Sequence, residues 1–513
     1  MSETSSKTRL IAKNTAFLYF RVFFIMAVSL YTSRVILAVL GVNDFGIYCV
    51  IAGLVSILGF INGAMSTTSI RYITLAIHKE PESIQRSVFS TSMQIHLLIA
   101  LIIVLFSESL GPWFIENFLN IDEERREVAF WVFQCSLLTT VISIINVPYN
   151  SAIISHEKMV AFTYISIIEA LLKLTLVYLL SKLDGDKLLI YSILLLLVQF
   201  LLHLLLRGYC AFCFKCTKFI FVLNQKLFKE MVAFSGWNLI GNFAGLLSTE
   251  GINILLNMFF GPSVNGAKGI ATQVQSAVNQ FSSNLQLAIN PQIIKNYSTG
   301  DLTQMHNLIC SSSRYTFFVL YTISLPLALM TNEILEIWLI SVPEYASVFV
   351  RFSLLIGLID ALTSPFMVSA SATGKVRNYQ LITGGIILLM VPIATTVLSF
   401  IAIPVMVYFV HLIISVVAGL SRLIVVSPLI KLQRFFFLKK VCKSVLLVVI
   451  VASPVPVLLS FYLQLDIFLN MIILTIVSII SSIVTVYSLG LDNYERSMIR
   501  SLLLTKLKMN KND

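Results

Sequence analysis

Residues 253–290 read NILLNMFFGPSVNGAKGIATQVQSAVNQFSSNLQLAIN. An apolar run ends at Phe260, a Gly-Pro turn follows, and a second long run opens at Gly266. The second run carries Lys268, Thr272, Gln275, Asn279, Ser283, Gln286 and Asn290 at steps of three or four residues. That spacing places all seven on one face of an α-helix. A stretch of roughly 20 apolar residues spans about 30 Å of hydrocarbon, so the segment predicts two membrane-crossing helices joined by a tight turn. Shifting by 220 residues superimposes Gly41–Gly46 (GVNDFG) on Gly261–Gly266 (GPSVNG), again between two long apolar runs. The match predicts an internal repeat, with glycines where a turn needs backbone freedom.

The rest of the chain repeats this pattern. Of 513 residues, 57% are hydrophobic and 12% charged, and the mean hydropathy is +0.89. Soluble domains carry about 25% charged residues, so the composition points to lipid as solvent. Fourteen spans are expected, at 14–40, 46–66, 90–113, 128–149, 160–181, 188–206, 231–259, 266–290, 315–332, 346–368, 380–399, 403–421, 444–463 and 468–490. With the N-terminus inside, 27 of the 36 Lys and Arg residues fall in cytoplasmic tails and loops. Four fall outside (Arg125, Arg126, Lys182, Lys187) and five within spans (Arg21, Arg34, Lys173, Lys268, Arg351). This is the positive-inside pattern, and it accounts for the net charge of +11 without a nucleic-acid partner. It predicts a polytopic inner-membrane protein with both termini cytoplasmic. Residues 1–13 read as a cytoplasmic tail, 14–210 as an N-lobe of six spans, and 211–230 as a linker. Residues 231–425 read as a C-lobe of six spans, 426–490 as a basic loop with a terminal pair, and 491–513 as a tail.

Short loops leave no room for a periplasmic catalytic domain. There is no GxxxxGK[ST] phosphate loop, and His156-Glu157 lacks the second His of a zinc HExxH site. Cys210, Cys213 and Cys216 form a CxxCxxC run without a nearby fourth ligand, so the structural reading is preferred over a metal or Fe–S site. The chain is therefore expected to be no enzyme, with no catalytic residues, no metal and no cofactor.

Function is sought where polar groups enter the membrane, because such groups need partners or water. Beside the stripe of span eight, span seven carries Ser235, Asn238, Asn242, Thr249 and Asn253. Interhelical hydrogen bonds are worth about 1 kcal/mol or less each; two helices scarcely need a dozen such groups for packing, which favours a hydrated cavity. Arg21 and Arg34 lie about 140° apart on an ideal helix, so Arg21 is the preferred cavity cation. Arg34 either snorkels outward, pairs with Asp44 or faces the cavity. Lys268 tops the stripe of span eight. Glu169 and Lys173, four apart, are expected to pair. Glu250 has no sequence-local partner and is a candidate for pairing with Arg34 or Lys268, or for carrying a coupling proton. Arg351 and Asp360 suit the cavity or an interhelical pair. Pro326, Pro365, Pro392 and Pro404 supply kinks that serve either hinges or static helices.

SRVILAVLGVNDFGIY and STTSIRYIT in the first spans resemble the opening of Wzx-type polysaccharide flippases. SGWNLIGNFAG, GINILLNMFFGPSVNGAKGIATQV, AINPQIIKNY and SATGKVRNYQ resemble later segments of the same group, notably its Bacteroidetes-type members. The resemblance runs from about residue 10 to 490. It implies a MATE-like, all-α membrane fold of the superfamily that includes multidrug exporters and the lipid II flippase, with two pseudo-symmetric six-helix lobes around a central cavity and two extra C-terminal helices. It further implies movement of undecaprenyl-diphosphate-linked oligosaccharide between leaflets by alternating access, in O-antigen or capsule biosynthesis. Membrane lipids, and the glycan polymerase and glycosyltransferases of the pathway, are the implied partners. In that reading Arg21, Lys268 and Arg34 attract the diphosphate, because guanidinium and ammonium pair with phosphate at low dielectric. Asn238, Asn242, Asn253, Gln275 and Asn279 replace water around the sugars, and Glu250 and Asp360 are the coupling candidates. The alternatives are a MATE-like exporter of drugs or other small molecules, and a membrane glycosyltransferase or polymerase that lacks its large outer loop.

Overall fold

In hydrocarbon every backbone N–H and C=O must be bonded within the protein, which leaves the helix as the local solution for apolar runs of this length. The computed structural model describes residues 2–58, 60–156, 158–220, 224–463, 466–493, 495–497 and 500, with side chains largely from Phe24 onward. Its helices are α1 (Ser2–Leu58), α2 (Phe60–Lys79), α3 (Glu82–Phe118), α4 (Glu123–Ser155), α5 (Met159–Lys182), α6 (Lys187–Cys213), α7 (Gln225–Phe260), α8 (Pro262–Ser298) and α9 (Leu302–Leu329). The remainder are α10 (Thr331–Trp338), α11 (Ala346–Thr373), α12 (Val376–Leu388), α13 (Met390–Phe400), α14 (Val405–Leu429), α15 (Arg434–Phe437), α16 (Lys443–Ala452), α17 (Pro454–Tyr462) and α18 (Ile467–Thr485). No strand occurs among the described residues.

Eleven described helices are long and apolar enough to cross a membrane, or twelve if α9 and α10, bent by 79° at their junction, form one span. Fourteen spans are expected, and two places account for the difference. Spans 14–40 and 46–66 are both represented in α1, which turns at the non-helical Gly41 and is counted once, as Phe24–Ile57. The stripe of amides and hydroxyls on α8 lowers its hydropathy below that of its neighbours.

The chain divides into two compact units. Unit 1 comprises residues 1–270, 338–346 and 387–410; unit 2 comprises 271–337, 347–386 and 411–513. Within unit 1 the internal repeat is visible in the backbone. Gly41 has φ 74° and ψ 172°, and Gly261, 220 residues on, has φ 79° and ψ −179°. L-residues rarely adopt this conformation. The segments that follow touch each other reciprocally. A Cβ on Gly46 would collide with the Pro262 carbonyl, and one on Gly266 would lie 2.8 Å from the Val42 carbonyl. Position 46 corresponds to 266 and 42 to 262, so the contact is the same one read from both sides, as about a two-fold axis.

Charge closes one end of unit 1. Arg125, in the first turn of α4, donates to both Asp44 and Asp186, and its Nε lies 3.1 Å from Asp44 Oδ1. Asp186 also accepts from the Leu188 and Leu189 N–H groups at 3.1 Å, capping α6. Asp44 is thus held by Arg125 and not by Arg34, which is exposed; the nearer residue in sequence lost to one supplied by another helix.

In unit 2, Arg314 of α9 is 1% exposed. It donates to the Gly490 carbonyl (3.0 Å) and to Glu495 (2.7 Å), and reaches Asp492 at 3.3 Å. Gly490 ends a π-turn, Val486–Gly490, whose geometry leaves its carbonyl to accept from Arg314 and, at 3.0 Å, from the Ser444 hydroxyl. One buried arginine therefore ties α9 to the chain beyond α18, and Ser444 ties α16 to the same carbonyl.

Gly46→Ala is expected to destabilise the purified protein by about 1–3 kcal/mol through overpacking. Gly208→Ala, where a Cβ meets nothing within 4 Å, is expected to be neutral or to add up to about 1 kcal/mol of helix propensity. Thermal melting of both variants in detergent checks the contrast. Arg314→Ala leaves buried acceptors uncompensated and is expected to cost about 3–5 kcal/mol, read as a lower melting temperature and earlier proteolysis near α18.

Candidate functional site

The polar face of α7 is largely turned on α1 and α2. Thr68 and Ser235 share a hydrogen bond of 2.5 Å, and Asn242 lies against Gly63, whose Cβ would stand 3.4 Å from the amide nitrogen. Asn253, 3% exposed, donates to the Cys49 carbonyl at 2.6 Å. Asn265, fully buried, donates in turn to the Asn253 carbonyl and side chain at 2.6 and 2.7 Å. These bonds satisfy amides that hydrocarbon would leave orphaned. Of the stripe expected to line a cavity, Asn242 and Asn253 thus also hold helices together, while the side chains of Asn238 and Arg21 lie outside the described residues.

Two charges stand in the same neighbourhood. Glu250 sits over Gly53, where a Cβ would collide with its carboxylate, and accepts weakly from Asn253 at 3.4 Å. Lys268 is 8% exposed and precedes Gly269, whose Cβ would lie 2.8 Å from Cys49 Sγ. Among the described residues neither Lys268 nor Glu250 has an ion-pair partner within 4 Å. A cation inside a membrane span is costly without a counter-charge. Lys268 therefore marks a place able to receive an anion.

Farther along α8 the stripe faces α9 and α11. Gln275 and Asn279 line a narrow space with Ser324, Ser353 and Gly357, and Gln286 donates to the Ser364 hydroxyl at 2.8 Å. Thr272 and Ser283 are exposed. Asp360 of α11 pairs with Arg422 of α14 at 3.1 Å, and Arg422 also donates to Thr363 at 2.8 Å. Arg422 was expected in a cytoplasmic loop after residue 421, but α14 continues to Leu429 and carries it into the helix pair. Its basic side chain was counted as a topology signal, which concealed its role as the partner of Asp360. Arg351 does not reach Asp360; its Nε donates to the Ala328 carbonyl at 3.1 Å, beside the bend from α9 to α10. Glu169 and Lys173 pair at 2.7 Å along α5.

The CxxCxxC run does not converge. Cys210 and Cys216 are buried and Cys213 is exposed; Cys216 lies 4.0 Å from His156 Nε2, and burial pushes its thiol up from the ordinary range. His203 shares a 2.7 Å hydrogen bond with the Asn146 side chain.

Comparison with known proteins bears on this geometry. No curated protein matches the chain in sequence. The solved structure of the lipid II flippase MurJ, in an inward closed conformation, is similar with a TM-score of 0.69 at 14% identity, covering 94% of this chain and 100% of its own. An inward-facing multidrug resistance MATE family transporter follows at 0.59 and 13%, covering 80% and 96%. A MOP superfamily transporter from Pyrococcus furiosus gives 0.51 and 13%, covering 82% and 93%. At these identities the likeness establishes the fold, which is all-α and MATE-like. Residues 11–295 match the family model described as polysaccharide biosynthesis protein. This multi-pass membrane chain belongs to that polysaccharide biosynthesis protein family.

Proposed function

We propose that the protein is a flippase that moves a polyprenyl-diphosphate-linked oligosaccharide from the cytoplasmic to the outer leaflet of the inner membrane by alternating access. The observation that carries this reading is Lys268. A buried cation without an ion-pair partner among the described residues, set beside amides and one carboxylate, fits a diphosphate better than it fits a cationic drug. A sugar diphosphate is anionic and strongly hydrated, so its passage needs fixed positive charge and hydrogen-bonding groups in place of water. Lys268 meets the phosphates, Arg21 and Arg34 add charge, and Asn242 contacts sugar. Residues 14–210 and 231–425 act as the two moving lobes, each of six spans, and 444–490 as the accessory pair. Both termini lie in the cytoplasm, where the pathway's glycosyltransferases deliver substrate.

Coupling is assigned to Glu250 before Asp360. Glu250 has no ion-pair partner among the described residues, whereas Asp360 is already engaged by Arg422. The second reading, an ion-coupled exporter of small molecules, draws support from Glu250 alone, since a carboxylate in that position also suits a cationic cargo.

Deletion of the gene in its host is expected to abolish the surface glycan and to trap lipid-linked intermediate in the inner leaflet. Normal glycan, with no trapped intermediate and no redundant transporter, overturns the proposal. Lys268→Ala is expected to lower glycan export about tenfold or more, the value of one charge-assisted contact, at unchanged protein level; Lys268→Arg retains most of it. Quantifying surface glycan against membrane-protein abundance in both variants separates this role from a merely structural one.

A further inference from the structure

A cavity of about 550 Å³ lies between α5 and α6, at the end where α5 begins and α6 finishes. It is remote along both helices from the short 183–186 connection that joins them, and the flipping mechanism above does not use it. Val160, Tyr164 and Ile168 line it from α5, and Leu205 and Tyr209 from α6. These positions recur every four residues, so each helix contributes one continuous face. Val160, Tyr164, Ile168 and Leu205 are exposed, which leaves the groove open sideways to lipid. Its charge is at one end, where Lys158 stands at the mouth.

The chemistry of the lining describes its occupant. Apolar walls with a cation at one end accept an amphipathic molecule with an anionic head. Tyr164 and Tyr209 supply rings with an apolar body and a polar tip, which favour the boundary between hydrocarbon and head groups. The basic character continues around this end of unit 1, where Arg86 donates to the Lys218 carbonyl at 2.7 Å and Arg207 and Lys215 flank the exit of α6. Depth discriminates between chains. From Val160 to Ile168 the helix rises about 12 Å, close to the roughly 15 Å of hydrocarbon in one leaflet. A fatty acyl chain of one leaflet fits that depth, whereas a polyprenyl tail several times longer overruns it.

We propose that this groove is a binding site for one anionic phospholipid of the surrounding bilayer, with an acyl chain along α5 and α6 and the phosphate on Lys158. Only its assignment to the cytoplasmic leaflet rests on the topology proposed above.

The test is native mass spectrometry of the full chain, titrated in detergent with phosphatidylglycerol or with phosphatidylcholine of the same acyl chains. Phosphatidylglycerol is expected to be retained at about fivefold lower concentration, the effect of one lysine near an anionic head group. Lys158→Gln brings the two lipids level, and Ala161→Trp, which fills the groove from α5, weakens both. Equal retention of the two lipids by the unaltered chain overturns the proposal, as does phosphatidylglycerol binding that neither substitution changes. Displacement of phosphatidylglycerol by a polyprenyl phosphate also overturns it and reassigns the groove to the substrate's tail. Because glycan export is not read, failure of the flippase reading leaves these outcomes intact.

Discussion

Hydrocarbon offers no hydrogen-bond partner, and this single lack governs the molecule at two levels. For the backbone it enforces helices. For side chains it means that each polar group inside a span must be met by another, and most are. Thr68 meets Ser235, Asn253 meets the Cys49 carbonyl, Asn265 meets Asn253, and Gln286 meets Ser364. Such meetings need close backbones, and Gly46, Gly53, Gly63 and Gly266 sit where the neighbouring helix comes nearest. Among the charged groups, Lys268 and Glu250 stand apart, because neither has an ion pair among the described residues.

The three structural arginines show how the charged groups divide. Arg125, Arg314 and Arg422 each bind carboxylates through a planar fork that suits such pairing. Each joins elements distant in sequence within one unit. Lys268 is a compact point charge on a flexible stem, better fitted to a partner that comes and goes.

Much of the architecture was readable beforehand, for reasons tied to period and length. Apolar runs of fixed length mark spans whatever they pack against, and Gly41 and Gly261 mark the repeat because few residues tolerate their backbone. Partner identity was not readable. Asp44 looks available to Arg34, ten residues away in the chain, yet Arg125 from α4 holds it. In sequence, Arg314 and Arg422 fall at the edges of apolar runs and read as loop charges, whereas α9 and α14 carry them inside helices. The stripes of α7 and α8 were visible as faces, but period alone does not say which amide meets a helix and which meets water. Asn242 lies against Gly63 and Thr272 is exposed, although both belong to polar stripes.

The polar face of α8 has a consequence for biogenesis. A segment this rich in amides partitions poorly from the insertion machinery into lipid, because polar residues near a span's centre oppose entry. The surface that shelters its first turns is the stretch from Val42 to Cys49, synthesised about 220 residues earlier. The N-terminal spans therefore have to persist, folded and adjacent, until α8 emerges. The repeat contact thus makes the first-made helices an intramolecular chaperone for the least lipid-soluble one.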